Sequence, residues 1–196
     1  MQTFITFRSF SRVAAGLDMM RLGKQKEEAL QILRALRHEK PVVGNKWAYE
    51  MWRGHEEALV LYGLFITHEW RCVRKLRDST WGQFADLASE YGMLRAVDMV
   101  KEDRPPLVAY PAWMTETWIL RSHRSRLIEK MPHHYGEQFG ATPVNMPYIW
   151  PIWDESAPGG YRLCLSVADT LRVETGERVL PRQLKCDKTG EITVCE

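Results

Sequence analysis

The apolar and polar positions change period along the chain, and those changes predict its elements. After the lead-in MQTFITFRSF, Val13, Leu17 and Met20 recur at helical spacing, with Ser9 or Ser11 placed to cap the first turn. The pattern is then disturbed by Arg21, Gly23, Lys24, Gln25 and Lys26, and resumes through Ala29, Ile32, Leu33 and Leu36 to about residue 38. A glycine inside a helix costs about 1 kcal/mol relative to alanine, so Gly23 marks a break, a bend or a close approach. The strongest helical stretch is 47–77, where Met51, His55, Leu59, Tyr62 and Ile66 form one stripe. Further helices are expected over 81–101 and about 114–131, with a Pro-rich loop at 103–113, another loop at 38–46, and a turn-rich aromatic stretch from 131 to 151.

Past Pro158-Gly159-Gly160 the texture alternates. YRLCLSV, TLRVETGERVL and KCDKTGEITVCE read as short strands joined by Thr-Gly-Glu type turns. The pattern predicts a mainly α fold, with a helical domain at 1–155 and a small β-rich, hairpin extension at 156–196. A chain of 196 residues with 45% hydrophobic residues and eight tryptophans can bury a substantial core. No apolar run approaches the length of a membrane span, and the opening residues hold no signal-peptide core. A cytoplasmic protein without membrane attachment is expected.

Charge adds the first functional hint. Net charge is only +2, but residues 8–26 hold Arg8, Arg12, Arg21, Lys24 and Lys26 against Asp18 alone. Residues 121–130 hold Arg121, Arg124, Arg126 and Lys130 against Glu129 alone. Two local basic clusters on a near-neutral chain point to an anionic partner. In the first cluster, Arg21, Lys24 and Gln25 fall within one helical turn, suited to a phosphate and a neighbouring base edge. In the second, Arg121, Ser122, His123, Arg124 and Arg126 form a donor array, and His134 and Tyr135 add flat rings that can hold unstacked bases. Each cluster also reads as ordinary solvated helix surface. His55 on the apolar stripe reads as a satisfied core residue. Cys72, Cys164, Cys186 and Cys195 have no metal-ligand spacing, and neither a metal nor a cofactor is expected. P-loop, dinucleotide, GxSxG and HExxH signatures are missing from the sequence.

The order LDMMRLGKQKEEALQIL, MWRGHEEALVLYG, RSHRSRLIEKMPHHYG resembles the pyrimidine-dimer DNA glycosylase family of phage endonuclease V, in particular a bacterial and phage subgroup of it. The resemblance spans roughly residues 1–150. It implies a compact helical domain that binds double-stranded DNA, flips a nucleotide, and cuts the glycosidic bond with the protein's own α-amino group. An α-amine titrates near pH 8, so a useful fraction is nucleophilic at neutral pH, unlike a lysine amine. A nearby carboxylate stabilises the developing sugar cation and handles protons.

The chain departs from the family pattern in two places. It begins Met1-Gln2-Thr3, and glutamine is too large for ordinary methionine removal, so Met1 is expected to supply the amine. Leu22 and Gly23 stand where the resemblance places the catalytic glutamate, and Glu28, one turn beyond Lys24, is the better candidate. The resemblance carries Arg21 over as a DNA contact. Two readings follow: a glycosylase/lyase using Met1 or Lys24 with Glu28, or a catalytically inactive DNA- or nucleotide-binding module. A third class, an enzyme on a small phosphorylated ligand or an interaction protein docking through its C-terminal strands, differs in its salt dependence. Oligomeric state is not encoded in any motif.

Overall fold

The computed structural model describes residues 2–41, 44–104 and 108–195, and divides the chain into two compact units, Met1–Pro111 and Ala112–Glu196. Among the described residues the protein is mainly helical, with a small four-stranded antiparallel sheet in the second unit. Among the described residues no helix is long and apolar enough to cross a membrane. The helix at 117–130 belongs to the same unit as the strands.

The first unit opens with a buried segment. Thr3, Phe4, Ile5 and Thr6 are all buried, so the lead-in is core rather than surface. Helix α1 (Phe10–Gly16) is capped by Ser9, and α2 (Met19–Leu36) by Asp18, whose carboxylate accepts from the N–H groups of Met20 and Arg21. The chain therefore breaks at Leu17-Asp18, not at Gly23. Gly23 sits inside a continuous helix, and its missing side chain makes room for Trp70: a Cβ there would lie 3.0 Å from the indole. Of the three readings open for Gly23, close approach is the one realised.

The expected helix 47–77 is divided. A short α3 (Lys46–Glu50) ends in a turn through Gly54, whose φ of +75° no continuing helix tolerates. Next comes α4 (Glu56–His68), with Glu56 and Glu57 in its first turn, where carboxylates favour the positive helix end. Every residue of α4 from Ala58 to Thr67 is buried, and α1, α2, α5 (Trp81–Glu90) and α6 (Ala96–Lys101) pack around it. The core of the unit therefore lies along α4. A π-helical turn (Glu69–Val73) extends it, closed by the Arg74 N–H on the Glu69 carbonyl at 2.9 Å. Residues 42–43 and 105–107 of the two expected loops lie outside the described residues.

In the second unit a 3₁₀ turn (Ala112–Thr115) leads into α7 (Thr117–Lys130) and α8 (Pro132–Phe139), which pack together. The stretch expected to be turn-rich is thus partly helical, because Pro132 starts α8 at a position where its missing N–H costs nothing. Strands β1 (Trp150–Trp153), β2 (Tyr161–Cys164), β3 (Leu184–Cys186) and β4 (Glu191–Val194) pair antiparallel in the order β1-β2-β4-β3. The expected strand at 170–180 is instead helix α9 (Val167–Glu174). Ser166 caps it by accepting the Asp169 N–H at 3.1 Å, and this local bond outweighs the alternating pattern. All four cysteines are free thiols.

Candidate active site

In the first unit, α2 brings its polar residues to two different places. Lys24 is exposed, and Arg21 is mostly covered, 3.5 Å from Asp18. Gln25 is only 1% exposed, turned into the core beneath the buried N-terminal segment. Its carbonyl oxygen accepts from the Phe4 N–H at 2.7 Å and from the Tyr62 hydroxyl at 2.6 Å. Its amide nitrogen donates to the Gln2 carbonyl at 3.0 Å and to Glu28 Oε2 at 2.9 Å. From the other side, the Trp52 indole N–H donates to Thr3 Oγ1 at 2.7 Å. The segment is held by side chains of α2, α4 and the turn after α3.

Glu28 is the one carboxylate in this network. It accepts from the Gln25 amide at 2.9 Å, and the Gln2 N–H and the Lys24 ammonium lie close enough to pull its pKa down. Partial burial pushes its carboxyl above the ordinary carboxylate range, against the pull of those donors and of Lys24. Tyr62, fully buried and beside Glu28, is held well above the usual phenol range and stays protonated. A part-exposed carboxylate with a raised pKa, joined through Gln25 to the Gln2 carbonyl, can hold or release a proton near the start of the chain.

The expected DNA reader Gln25 is therefore an internal residue, with no face left for a base edge. Its signal in the sequence was ambiguous because helical spacing puts it one turn from both Arg21 and Glu28. Tyr62, Thr3 and Trp52 were not foreseen as parts of a site; only their types, polar groups within apolar stripes, hinted at buried partners. Met1 lies outside the described residues. Lys26 leaves the cationic cluster: it pairs with buried Asp78 at 3.1 Å and lies over the Trp70 ring.

In the second unit, α7 divides in the same way. Ser122 and His123 are fully buried, so neither is placed to meet DNA. Ser122 and Ser125 accept the Ile149 and Met146 N–H groups at 3.2 and 3.0 Å, anchoring the approach to β1. Burial drives the His123 imidazole down to about 3, so it is neutral. Arg126 pairs with Glu129, which also takes Arg178, and lies over the Tyr148 ring; its charge is answered inside the unit. Tyr135 is buried, stacked parallel on Phe139. Part-exposed Arg121 and Arg124, over the rings of Trp118 and Phe139, and exposed His134 remain on the surface.

With this geometry in view, comparison with known proteins bears directly on the first unit. Residues 1–80 match the family of pyrimidine dimer DNA glycosylases. The matched stretch contains every residue of the Gln2–Gln25–Glu28–Tyr62 network, and ends before α7. The match covers 80 of the chain's 196 residues. No curated protein and no solved structure matches the chain. Among the described residues, no three His, Cys, Asp or Glu side chains group closely enough to hold a metal ion.

Proposed function

We propose that the protein is a DNA glycosylase and abasic-site lyase whose nucleophile is the α-amine of Met1 and whose proton-handling group is Glu28. The observation that supports this reading most is the Gln25 amide nitrogen, which donates both to the Gln2 carbonyl at 3.0 Å and to Glu28 Oε2 at 2.9 Å and so ties the carboxylate to the start of the chain. One covalent step in the chain separates Gln2 from the α-amine, and the raised pKa of Glu28 suits it to take that amine's proton.

The amine lone pair forms a bond to C1′ of the deoxyribose while the C1′–base bond breaks, and the base leaves with its electron pair and gains a proton. Ionised Glu28 stabilises the positive charge that develops on the sugar. Opening of the sugar ring gives an imine, loss of a C2′ proton follows, and the C3′–oxygen bond breaks to nick the strand. Flipping the nucleotide costs a few kcal/mol, less where the base is damaged. Lys24 and Arg21 supply positive charge beside this site for backbone phosphates, and Arg121, Arg124 and His134 are proposed as phosphate and base contacts of the second unit.

Borohydride trapping on duplex DNA bearing an abasic site, followed by mass spectrometry of the adducted peptide, tests the reading. An adduct on Met1 is expected. An adduct on Lys24 moves the nucleophile to α2. No adduct, with DNA binding retained and no base release, leaves a DNA-binding module without catalysis.

A further inference from the structure

We propose that Gln25 is a positioning residue: its carboxamide locks the Gln2–Phe4 segment onto Glu28 and so sets where the α-amine meets the carboxylate. The inference rests on the glycosylase reading for its catalytic meaning, but its geometry stands apart from it. A carboxamide has two acceptor sites on oxygen and two N–H donors. Gln25 uses all four, at 2.6 to 3.0 Å, with almost no solvent contact.

The orientation of the amide is fixed by its partners. The Phe4 N–H can only donate and the Gln2 carbonyl can only accept, so oxygen and nitrogen cannot be exchanged. Accepting from residue 4 while donating to residue 2 is the pattern a strand residue makes with a parallel neighbour. Gln25 thus acts as a one-residue ladder partner for Thr3, whose hydroxyl is held on another side by Trp52. Its second N–H adds Glu28 to the same unit. Movement of the segment therefore breaks bonds to the carboxylate as well.

Glutamine is the side chain this position needs. A glutamate would lose both donors, face the Gln2 carbonyl with another oxygen, and place a second negative charge beside Glu28. Tyr62 is the supporting partner: it supplies one of the two bonds to the Gln25 oxygen, with its hydroxyl also 3.2 Å from the Phe4 carbonyl.

The test uses the full-length chain, its intact N-terminal residue first checked by mass, with Gln25→Glu and Tyr62→Phe variants. Single-turnover trapping on abasic-site duplex DNA is expected to fall about 100-fold in Gln25→Glu, the cost of a misplacement near 1 Å. DNA affinity should hold within about threefold, since the buried amide makes no phosphate contact. The variant-to-wild-type ratio should rise towards about pH 5, where the introduced carboxyl takes up a proton and regains one donor. Tyr62→Phe should lose about 3–10-fold, the worth of one hydrogen bond, and carries the test alone where Gln25→Glu does not fold.

A second readout does not need activity. Reductive ¹³C-methylation of the α-amine, followed by its NMR titration, is expected to give a displaced midpoint in either variant. An unchanged midpoint together with an unchanged trapping rate in a folded variant overturns the proposal. Wild-type protein that traps nothing overturns the glycosylase reading instead, and the titration then decides the positioning role by itself.

Discussion

Helices α2 and α7 carry the same texture in sequence, a polar and cationic run set into an apolar helix, yet they put it to different uses. In α7 the inward residues are neutral: Ser122, Ser125 and uncharged His123 are sealed in, and the hydroxyls hold backbone N–H groups of the following loop. In α2 the inward residues end in an ionisable carboxylate that is only partly covered and joined through Gln25 to the backbone of residue 2. Buried polarity on a helix is thus a structural device by default. It becomes a candidate site when one member can change charge and is open on one side.

The sharpest test of that contrast is Glu28→Gln. If Glu28 handles protons, base release and imine formation should fall about 10²–10⁴-fold in single-turnover assays. Stability should behave in the opposite sense. A carboxyl whose folded pKa is raised contributes stability below its unfolded pKa and loses it as pH rises, so ionised Glu28 is a burden at neutral pH. Melting temperature at pH 7 should therefore be equal or higher in the variant. A marked drop in melting temperature would make Glu28 a prop like the α7 serines and erase the contrast.

His123 supplies the matching test in the second unit. Its folded pKa is lowered to about 3, so only the unfolded chain takes up a proton below about 6.5. Stability from this group is full above that value and falls as pH drops, by up to about 1.4 kcal/mol per pH unit. Urea unfolding at several pH values, wild type against His123→Gln, should show the steeper acid loss in wild type; equal slopes would mean His123 is not closed off. Next in size, Ser125→Ala leaves the buried Met146 N–H without its acceptor and should cost about 1–3 kcal/mol of stability while DNA affinity stays constant. The smallest effect concerns the outer face of α7. In Arg121→Ala/Arg124→Ala, DNA affinity should weaken across all sequences, and the dependence of log K on log salt should flatten by about one per arginine lost. An unchanged salt slope would leave α7 as structure throughout.

How much of this was legible depends on how local the determining contact is. The Ser9 cap, the apolar α4 and the 184–194 hairpin all follow from neighbours within a few residues, and the sequence pattern predicts them. The break at Asp18 was missed because a capping carboxylate and a solvated one look alike until the preceding turn is known. Helix α9 was missed because Ser166 caps its first turn by accepting the Asp169 N–H, a local bond that a period-two reading ignores. Glu28 emerged from helical spacing and the family resemblance. The role of Gln25 did not, since three of its four partners, Gln2, Phe4 and Tyr62, lie between 21 and 37 residues away in the chain. Distant pairings of that kind leave no periodic trace.

That same distance orders events during synthesis. Phe4 is bonded to a tyrosine 58 positions later, so the segment that holds the site together is made well before its partner exists. At about 5–20 residues per second the ribosome leaves it unpaired for several seconds. Its buried threonines and isoleucine must wait, exposed, until α4 has emerged. The site closes only when the first part of the unit to be made finds the helix at its centre.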